Sequence, residues 1–424
     1  MERKAEIFDK FQYLYETTGF SDHQVHCVIR FEGGIQAELL QRAAQLLLKA
    51  VPILSGVYRA REGKSCWEDA ASPDIKGLFT VTDKQDEFQR FSVSKTEEAT
   101  GPQIRFCLLQ SKNSALSIVI NHMVCDAAGF KQCVYLFSEI YSRLQKNPNY
   151  VPDFVIDGDR GFKGVFFKLS FFDRVKLFFR GSKDNNQKSA WEFPMSKAGD
   201  PSPFIVSHEI SPEVFGNIRA CCRLNDVTVN DILLAGYFRA LTEILNLRGR
   251  QFAVPIMIDM RRYLNDKSFL ALTNLSSTTI VKITVDEDES FGATLGKVSA
   301  VMREKKAGNM GLNTFLKLDA GFEIPFLNVY GILRKSLRNP KISMTNIGVL
   351  DSSKLLFENS EVKNAAMFAS IKYRPHFQMS ATSFNDKITL GVGLYGTPED
   401  RANIENFFDF MDSELEKVRE VSVI

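Results

Sequence analysis

A histidine and an aspartate four residues apart, His122 and Asp126, stand where an apolar run meets an amphipathic one, in the segment NHMVCDAAG (121–129). A neutral imidazole can take a proton from an attacking hydroxyl or amine near pH 7, because histidine titrates in that range without a large perturbation. The alternative is that the two side chains only bond one another at the start of a helix. The spacing therefore predicts a candidate general base and leaves both interpretations open.

Two other segments place polar residues in strand-like apolar runs. The run PIMIDMRRY (255–263) ends in an acid followed by two arginines, the first of which is Arg261. The run ISMTNIGVL (342–350) carries Thr345 and Asn346. Asn346 is also a residue type that commonly satisfies local backbone groups at a turn. Taken singly, neither run defines a chemistry.

The elements that would position these residues follow a similar order in both halves of the chain. The β-branched run SIVIN (117–121) precedes an amphipathic helix, and KITLGVGLYG (387–396) precedes a helix that Thr397 can cap. Helical spacing at 35–50, and a Thr-x-x-Asp capping pair from Thr228, predict two more helices that each lead into an extended run. Sites in α/β sheets lie at strand ends, which is where NHMVCDAAG falls.

Length and composition agree with two globular halves. The 424 residues suggest two or three domains, and 44% apolar with 25% charged residues is ordinary globular usage. A proline-rich stretch over 194–212 divides the sequence near its middle and is typical of a linker. We therefore predict a mixed α/β fold with an N-terminal lobe over 1–195 and a C-terminal lobe over 196–424.

The net charge and the cysteine content limit the classes of partner, metal site and cellular location to be expected. A net charge of +2 provides no broad electrostatic footprint for nucleic acid. The seven cysteines lack zinc-type spacing, so we expect reduced, mostly buried thiols and no metal site. The first residues, MERKAE, lack an apolar signal segment, and no stretch reaches 18 apolar residues. The expected location is the cytoplasm.

Three common catalytic and binding motifs are excluded. Gly391, Gly393 and Gly396 match G-x-G-x-x-G, but only one helix follows them, so no second strand can complete a dinucleotide-binding unit. The tripeptide Gly-Lys-Ser at 63–65 lacks the earlier glycine of a P-loop, and no G-x-S-x-G occurs. Nucleotide-binding and serine-hydrolase functions are therefore not predicted.

Five segments taken in order, together with the opening FQYLYETTGF, carry a resemblance to a known superfamily. It contains chloramphenicol acetyltransferase, nonribosomal-peptide condensation domains, polyketide-associated and alcohol acyltransferases, and wax ester synthases. The five segments run from residue 121 to residue 350 and are NHMVCDAAG, VTVNDILLAGYFRAL, VPIMIDMRRYL, LTNLSS and MTNIGVL.

The resemblance implies a V-shaped pair of acetyltransferase-like lobes with a central tunnel. His122 would be the general base that deprotonates the acceptor. Asp126 would pair with Arg261 to hold the loop that presents the imidazole, the segment 122–126. Thr345 and Asn346 would lie near the oxyanion. The attacked carbonyl would belong to a thioester on coenzyme A or on a carrier protein's pantetheine arm, and no permanently bound cofactor is implied.

The sequence also departs from the family pattern HHxxxDG. Asn121 replaces the first histidine, and Ala127 stands where a glycine follows the aspartate, a change that could narrow the acceptor side of the tunnel. Asn274, in LTNLSS, is predicted to be structural.

A segment rich in phenylalanine and basic residues, GFKGVFFKLSFFDRVKLFFRG (161–181), raises the question of membrane contact. A basic helix with a strongly apolar face can lie in a membrane interface. We favour the alternative, a crossover segment that packs its phenylalanines on the lobes.

The leading hypothesis is a free-standing acyltransferase that moves an acyl group from a thioester to a small alcohol, with an apolar acyl chain or an apolar acceptor. One alternative is amide-forming condensation in trans with separate carrier proteins. Another is a catalytically silent module that binds carrier proteins or acyl ligands; retention of His122, Asp126 and Arg261 together argues against it.

Overall fold

The computed structural model describes most of the chain. The described residues are 2–61, 64–69, 77–179, 191–266, 268, 271–322 and 341–422. Among them the α-helices are α1 Ile7–Thr17, α2 Ala37–Ala50, α3 Gln85–Ser92, α4 Ala127–Lys146, α5 Phe171–Phe179, α6 Pro212–Asn225, α7 Val229–Leu245, α8 Phe291–Ala307, α9 Leu312–Phe322 and α10 Pro398–Glu416. The strands are β1 Glu2–Lys4, β2 Gln24–Glu32, β3 Gly56–Arg59, β4 Cys66–Asp69, β5 Phe79–Thr82, β6 Ile104–Leu109, β7 Ala115–Asn121, β8 Ser202–Ile210, β9 Gln251–Asp259, β10 Ser276–Thr284, β11 Ile342–Leu350, β12 Glu361–Phe368, β13 Lys372–Tyr373, β14 Phe377–Phe384 and β15 Lys387–Gly396.

The N-terminal sheet brings His122 to the end of a central strand. Its order is β12-β2-β7-β6-β5, and β7 is antiparallel to both of its neighbours. All seven residues of β7 are buried, as expected for a continuous apolar run covered on both faces. Helix α4 packs on the same core through Phe130, Val134 and Phe137. The apolar run ends at Asn121, so His122 follows directly at the strand end.

The C-terminal sheet carries the other candidate segments. Its order is β10-β9-β11-β14-β15-β13, with β8 paired to β15. Strand β9 ends at Asp259, one residue before a 3-10 helix (Met260–Tyr263) that contains Arg261. Strand β11 carries Thr345 and Asn346 and runs parallel to β14. The predicted mixed α/β class is confirmed.

One strand from the C-terminal half of the sequence joins the N-terminal sheet. Strand β12, from the C-terminal half, pairs antiparallel with β2 and so extends the N-terminal sheet. Ile347, Leu350 and Met367 of the C-terminal half also belong to the N-terminal core. The lobe boundary at residue 195 stays a prediction, and contacts across it hold the halves together.

Capping chemistry places two of the predicted helices correctly. Thr228 and Asp231 form a reciprocal capping box at the start of α7, and Thr397 caps α10 with Pro398 at its first position. These bonds are local, because they satisfy free backbone N–H groups of the first helical turn. All seven cysteines are free thiols, six of them buried, as predicted.

Two local predictions need correction. The run VPILSGVY was expected to be extended, but Pro52–Ser55 form a 3-10 helix before β3 begins. Proline suits the first position of a helical turn, which explains the difference. The supposed linker is also largely ordered, since Pro203 lies within β8 and Pro212 opens α6.

The phenylalanine-rich segment is only partly packed. Phe162 and Phe166 are buried in the C-terminal core, whereas Phe167, Phe171, Phe172 and Phe179 are exposed. The packed crossover that we favoured therefore describes only part of the segment, and residues 180 and 181 lie outside the described residues. No described helix is long and apolar enough to cross a membrane.

Candidate functional site

Asp126 caps helix α4 and joins it to the C-terminal half. Its Oδ1 accepts a hydrogen bond from the Gly129 N–H at 2.9 Å, which satisfies a free donor of the first helical turn. Its Oδ2 accepts from Arg261 Nη1 at 2.8 Å and from the Leu275 N–H at 2.7 Å. Among the described residues, His122 is not a hydrogen-bond partner of this carboxylate. The structure therefore differs from the interpretation in which His122 and Asp126 only bond one another.

The Asp126–Arg261 ion pair is buried and well supplied with hydrogen bonds. The side chain of Asp126 is 5% exposed and that of Arg261 is 22% exposed. Arg261 Nη2 also donates to the Thr273 carbonyl at 3.0 Å. Burial on its own would raise the pKa of Asp126, but the charge and hydrogen bond of Arg261 and the two backbone donors outweigh it and lower the pKa. Asp126 is therefore ionised at neutral pH and holds the segment after His122 against residues 273–275.

Asn274 determines which nitrogen of His122 carries the proton. Asn274 Nδ2 donates to the carbonyl oxygens of His122 (2.8 Å) and Met123 (3.1 Å), so its Oδ1 is the atom that lies 3.1 Å from His122 Nδ1. An amide oxygen only accepts hydrogen bonds, which assigns the proton to Nδ1. In the neutral ring the lone pair then lies on Nε2. The prediction that Asn274 is structural missed this contact, because a single sequence does not show that residues 122 and 274 meet.

Variants of Asn274 test this positioning. We expect Asn274→Leu to lower kcat by about 10²-fold with little change in KM, because the ring loses the partner that orients it. Asn274→Asp keeps an acceptor for Nδ1 but adds a negative charge, so it should raise the pKa of His122 and move the acidic limb of the pH–rate profile upward. A merely structural asparagine would lower the melting temperature in both variants and leave the pH profile where it was.

The surroundings of His122 favour the neutral imidazole. Burial lowers its pKa below the usual 6.5, and the nearby charge of Lys372 acts in the same direction, against the opposing effects of Asp126 and backbone carbonyls. If His122 is the general base that the sequence predicts, it must be deprotonated to act, so kcat/KM should fall only as the pH drops through this lowered pKa. We expect the acidic limb of a pH–rate profile below pH 6.5; a limb above that value would contradict the burial argument.

Arg160 braces the loop from its other side. Its guanidinium forms two hydrogen bonds with Asp9 at 2.8 and 2.9 Å and donates to the carbonyls of Met123 (3.2 Å) and Val124 (3.1 Å). Its Nε donates to the Leu272 carbonyl at 2.7 Å. Arg160 could not be singled out from the sequence, because it stands in an irregular stretch without a recognisable motif. The loop is thus held by two arginines from different parts of the chain.

Asn121 supports the same loop from the strand end. Its Nδ2 donates to Gln103 Oε1 at 3.0 Å, and its Oδ1 accepts from the Met123 N–H at 2.9 Å. Asn121, which stands where the superfamily resembled by the sequence has its first histidine, therefore has a structural contact of its own. The departure from HHxxxDG leaves the loop anchored.

Thr345 and Asn346 lie on β11 beside an irregularity in its pairing. Asn346 Oδ1 accepts a hydrogen bond from the Gly348 N–H at 2.9 Å, and the register shifts between these two residues. Gly348 has a φ of +81°, in the region that favours glycine. Asn346 therefore satisfies local backbone, one of the two roles considered for it, and its Nδ2 remains as the amide donor. Lys131 Nζ joins α4 to this strand through the Ile347 carbonyl at 2.9 Å.

The structure thus brings three of the predicted site residues together with two residues that the sequence did not assign to the site. His122, Asp126 and Arg261 are joined through Asn274 and Arg160 by hydrogen bonds to the loop and to residues 272–275. The catalytic roles of the three residues, the oxyanion roles of Thr345 and Asn346, and the central tunnel stay predictions.

The architecture of the chain is similar to that of several solved structures, although no match in sequence is found. No protein-family model matches the sequence, and neither does any curated protein. The fold is similar to that of the trichothecene 15-O-acetyltransferase TRI3 from Fusarium sporotrichioides, with a TM-score of 0.72 and 14% identity over 99% of this chain and 96% of that one. Polyketide synthase associated protein 5 from Mycobacterium tuberculosis has a TM-score of 0.70 and 13% identity, over 98% of each chain. The first condensation domain of the CDA synthetase has a TM-score of 0.70 and 15% identity, over 100% of this chain and 99% of that one.

The chain therefore has the fold that these acetyltransferase, polyketide synthase associated and condensation-domain structures share. The resemblance first carried by five short segments extends over nearly the whole chain at the level of the fold.

Proposed function

We propose that this protein is an acyltransferase that moves an acyl group from a thioester to a hydroxyl acceptor, with His122 as general base. The observation that carries the proposal is the contact between Asn274 Oδ1 and His122 Nδ1 at 3.1 Å. It orients a neutral imidazole at the end of a buried strand and leaves the lone pair on Nε2. The hydroxyl preference is supported by the likeness in fold to an O-acetyltransferase.

The reaction would proceed by attack on the thioester carbonyl. As the acceptor oxygen bonds to the carbonyl carbon, its proton passes to His122 Nε2 and the carbonyl oxygen becomes an oxyanion. Collapse of this tetrahedral intermediate breaks the C–S bond, and the thiolate takes the proton from Nε2 and leaves as a free thiol. The imidazole is then neutral again, so every proton and electron pair is accounted for without a metal or redox cofactor.

Thr345 and Asn346 are the proposed donors to the oxyanion. Asn346 Oδ1 is occupied by the Gly348 N–H, so Asn346 Nδ2 is the atom of that side chain with a proton to offer. One oriented donor of this kind contributes about 10²–10³-fold to the rate in well-studied acyl-transfer enzymes. The Asp126–Arg261 pair has no proton-transfer role in the proposal and acts by positioning the loop.

The proposal is tested by measuring free-thiol release from acyl-CoA donors of graded chain length, offered mixed alcohols and amines. Wild-type protein is compared with His122→Ala under identical conditions. Release that requires both an acceptor and His122 supports the proposal, and the acceptor that is consumed separates ester from amide formation. Acyl groups on carrier proteins form the second donor series.

The outcomes separate the remaining alternatives. Thiol release only from carrier-bound donors with an amine would identify amide-forming condensation in trans. Binding of acyl ligands or carrier proteins without release from either donor series would identify a silent binding module and overturn the acyltransferase. Release that His122→Ala leaves unchanged would show that another group is the base.

A further inference from the structure

A short N-terminal segment, Phe20–His23, connects strand β13 with the loop of the candidate base. On one side the Tyr373 N–H donates to the Phe20 carbonyl at 3.2 Å, and on the other the His122 N–H donates to the His23 carbonyl at 2.7 Å. Lys372 precedes Tyr373 and forms an antiparallel bridge with residue 21. This short segment thus brings the backbone of Lys372 near that of His122, although the two residues are 250 positions apart in the sequence.

The side chain of Lys372 is largely buried, and its amine has no hydrogen-bonding partner among the described residues. The residue is only 5% exposed, and its Nζ lies 4.5 Å from the centre of the Phe20 ring. Burial lowers its pKa to about 8, so the protonated form still predominates about tenfold at pH 7. The amine therefore remains a cation in a place from which most water is excluded.

The nearest acid does not neutralise this cation directly. Asp22 raises the pKa of Lys372 through space, but no ion pair joins them within the described part of the chain. Asp22 Oδ1 accepts from the N–H groups of Gln24 (3.1 Å) and Ile371 (3.0 Å). Its Oδ2 lies 3.7 Å from His26 Nε2. Oδ2 has no hydrogen-bond partner among the described residues, so Asp22 acts on Lys372 through its charge and not through a hydrogen bond.

A second polar group without a partner lies against the same aromatic ring. The His376 ring is 4.4 Å from that of Phe20, and its Nδ1 is buried without a hydrogen bond among the described residues. Burial and the charge of Lys372 lower the pKa of His376 to about 4, so it is neutral near pH 7. An ammonium and a neutral imidazole nitrogen, each without a hydrogen-bond partner among the described residues, thus lie against the same ring.

We propose that Lys372 binds a carboxylate of the substrate that reacts at His122. The charge of Asp22 and the ring of Phe20 compensate this cation only in part, and a ligand carboxylate would supply the hydrogen-bond acceptors that the described residues do not. Because the segment Phe20–His23 holds Lys372 near the candidate base, the carboxylate must be carried near the reacting atoms. The inference rests on the proposed function and narrows its substrate to a hydroxy acid acceptor or to the half-thioester of a dicarboxylic acid.

Equilibrium binding measurements test the proposal without requiring turnover. The acceptor probes are 3-hydroxyoctanoate and 4-hydroxybenzoate, each paired with its neutral methyl ester; the donor probes are succinyl-CoA and butyryl-CoA. We expect the wild type to bind the carboxylate at least tenfold more tightly than its neutral counterpart in one of these two arms. The arm that shows the preference identifies which substrate carries the anion. If no probe shows the preference, the proposal is wrong.

Two variants assign the preference to Lys372. Lys372→Met removes the charge at similar length, and Lys372→Gln keeps a polar group; both should abolish the carboxylate preference and leave binding of the neutral probes unchanged. The matched control is Lys341→Met, because Lys341 also lies near His376 but already pairs with Glu192. It should retain the preference. A preference that survives in the Lys372 variants, or a melting temperature that falls sharply in both, would show a structural lysine and overturn the proposal.

These binding measurements, combined with the thiol-release assay, separate this inference from the proposed function. A Lys372-dependent carboxylate preference without any thiol release would leave the binding site standing and remove the acyltransferase. Thiol release that depends on His122 but not on the charge of either substrate would support the acyltransferase and remove the carboxylate site.

Discussion

Replacement of His122 by alanine is expected to lower kcat/KM for acyl transfer by about 10²–10⁴-fold, the usual contribution of a positioned general base. The imidazole is the group whose tautomer Asn274 determines, and burial keeps its pKa low enough for it to be neutral near pH 7. Without it, the acceptor hydroxyl would have to lose its proton to water. Thiol release, followed continuously with a thiol reagent, measures the loss.

The matched control is His208→Ala. His208 pairs with Asp412 rather than with any residue of the candidate site. We expect this variant to retain wild-type kcat/KM. The folds of both variants are compared by circular dichroism and melting temperature, so that a loss of activity is not confused with unfolding. A near-normal rate for folded His122→Ala would refute the assignment of the base.

Replacement of Asp126 by alanine is expected to cost about 3–5 kcal/mol of unfolding free energy as well as activity. The substitution leaves the buried guanidinium of Arg261 without its carboxylate partner and the Gly129 and Leu275 N–H groups without an acceptor. Because the same carboxylate holds the loop of His122, a folded population of the variant should also transfer acyl groups more slowly. Urea unfolding measures the first effect, and thiol release measures the second.

A double-mutant cycle tests whether Asp126 and Arg261 act as a pair. The double alanine variant should be less destabilised than the sum of the single variants, with a coupling of about 0.5–3 kcal/mol. Arg219 and Asp386 serve as control, since their side chains are 42% and 70% exposed and such pairs contribute about 0–1 kcal/mol. Simple additivity for Asp126 and Arg261 would argue against the direct pairing.

Local patterns in the sequence were sufficient to identify the elements that present the candidate base. The β-branched run before His122 forms β7, and the amphipathic run after Asp126 forms α4. Capping residues placed α7 and α10 for the same reason, because their hydrogen bonds connect groups three residues apart. Hydrophobic patterns predicted the structure less well where a proline sets the backbone conformation, as at Pro52–Ser55.

What the sequence determined alone was the strand, the helix cap and the presence of a histidine between them. Only the tertiary structure decided which ring nitrogen of that histidine carries the proton and which charges surround the ring. Asn274 meets His122 across 152 positions, and Arg261 meets Asp126 across 135. The segment Phe20–His23 likewise brings Lys372 near the candidate base from 250 positions away. Such contacts depend on how the two sheets pack and on the strand that crosses from one half to the other. Patterns among residues close in the sequence do not encode that packing.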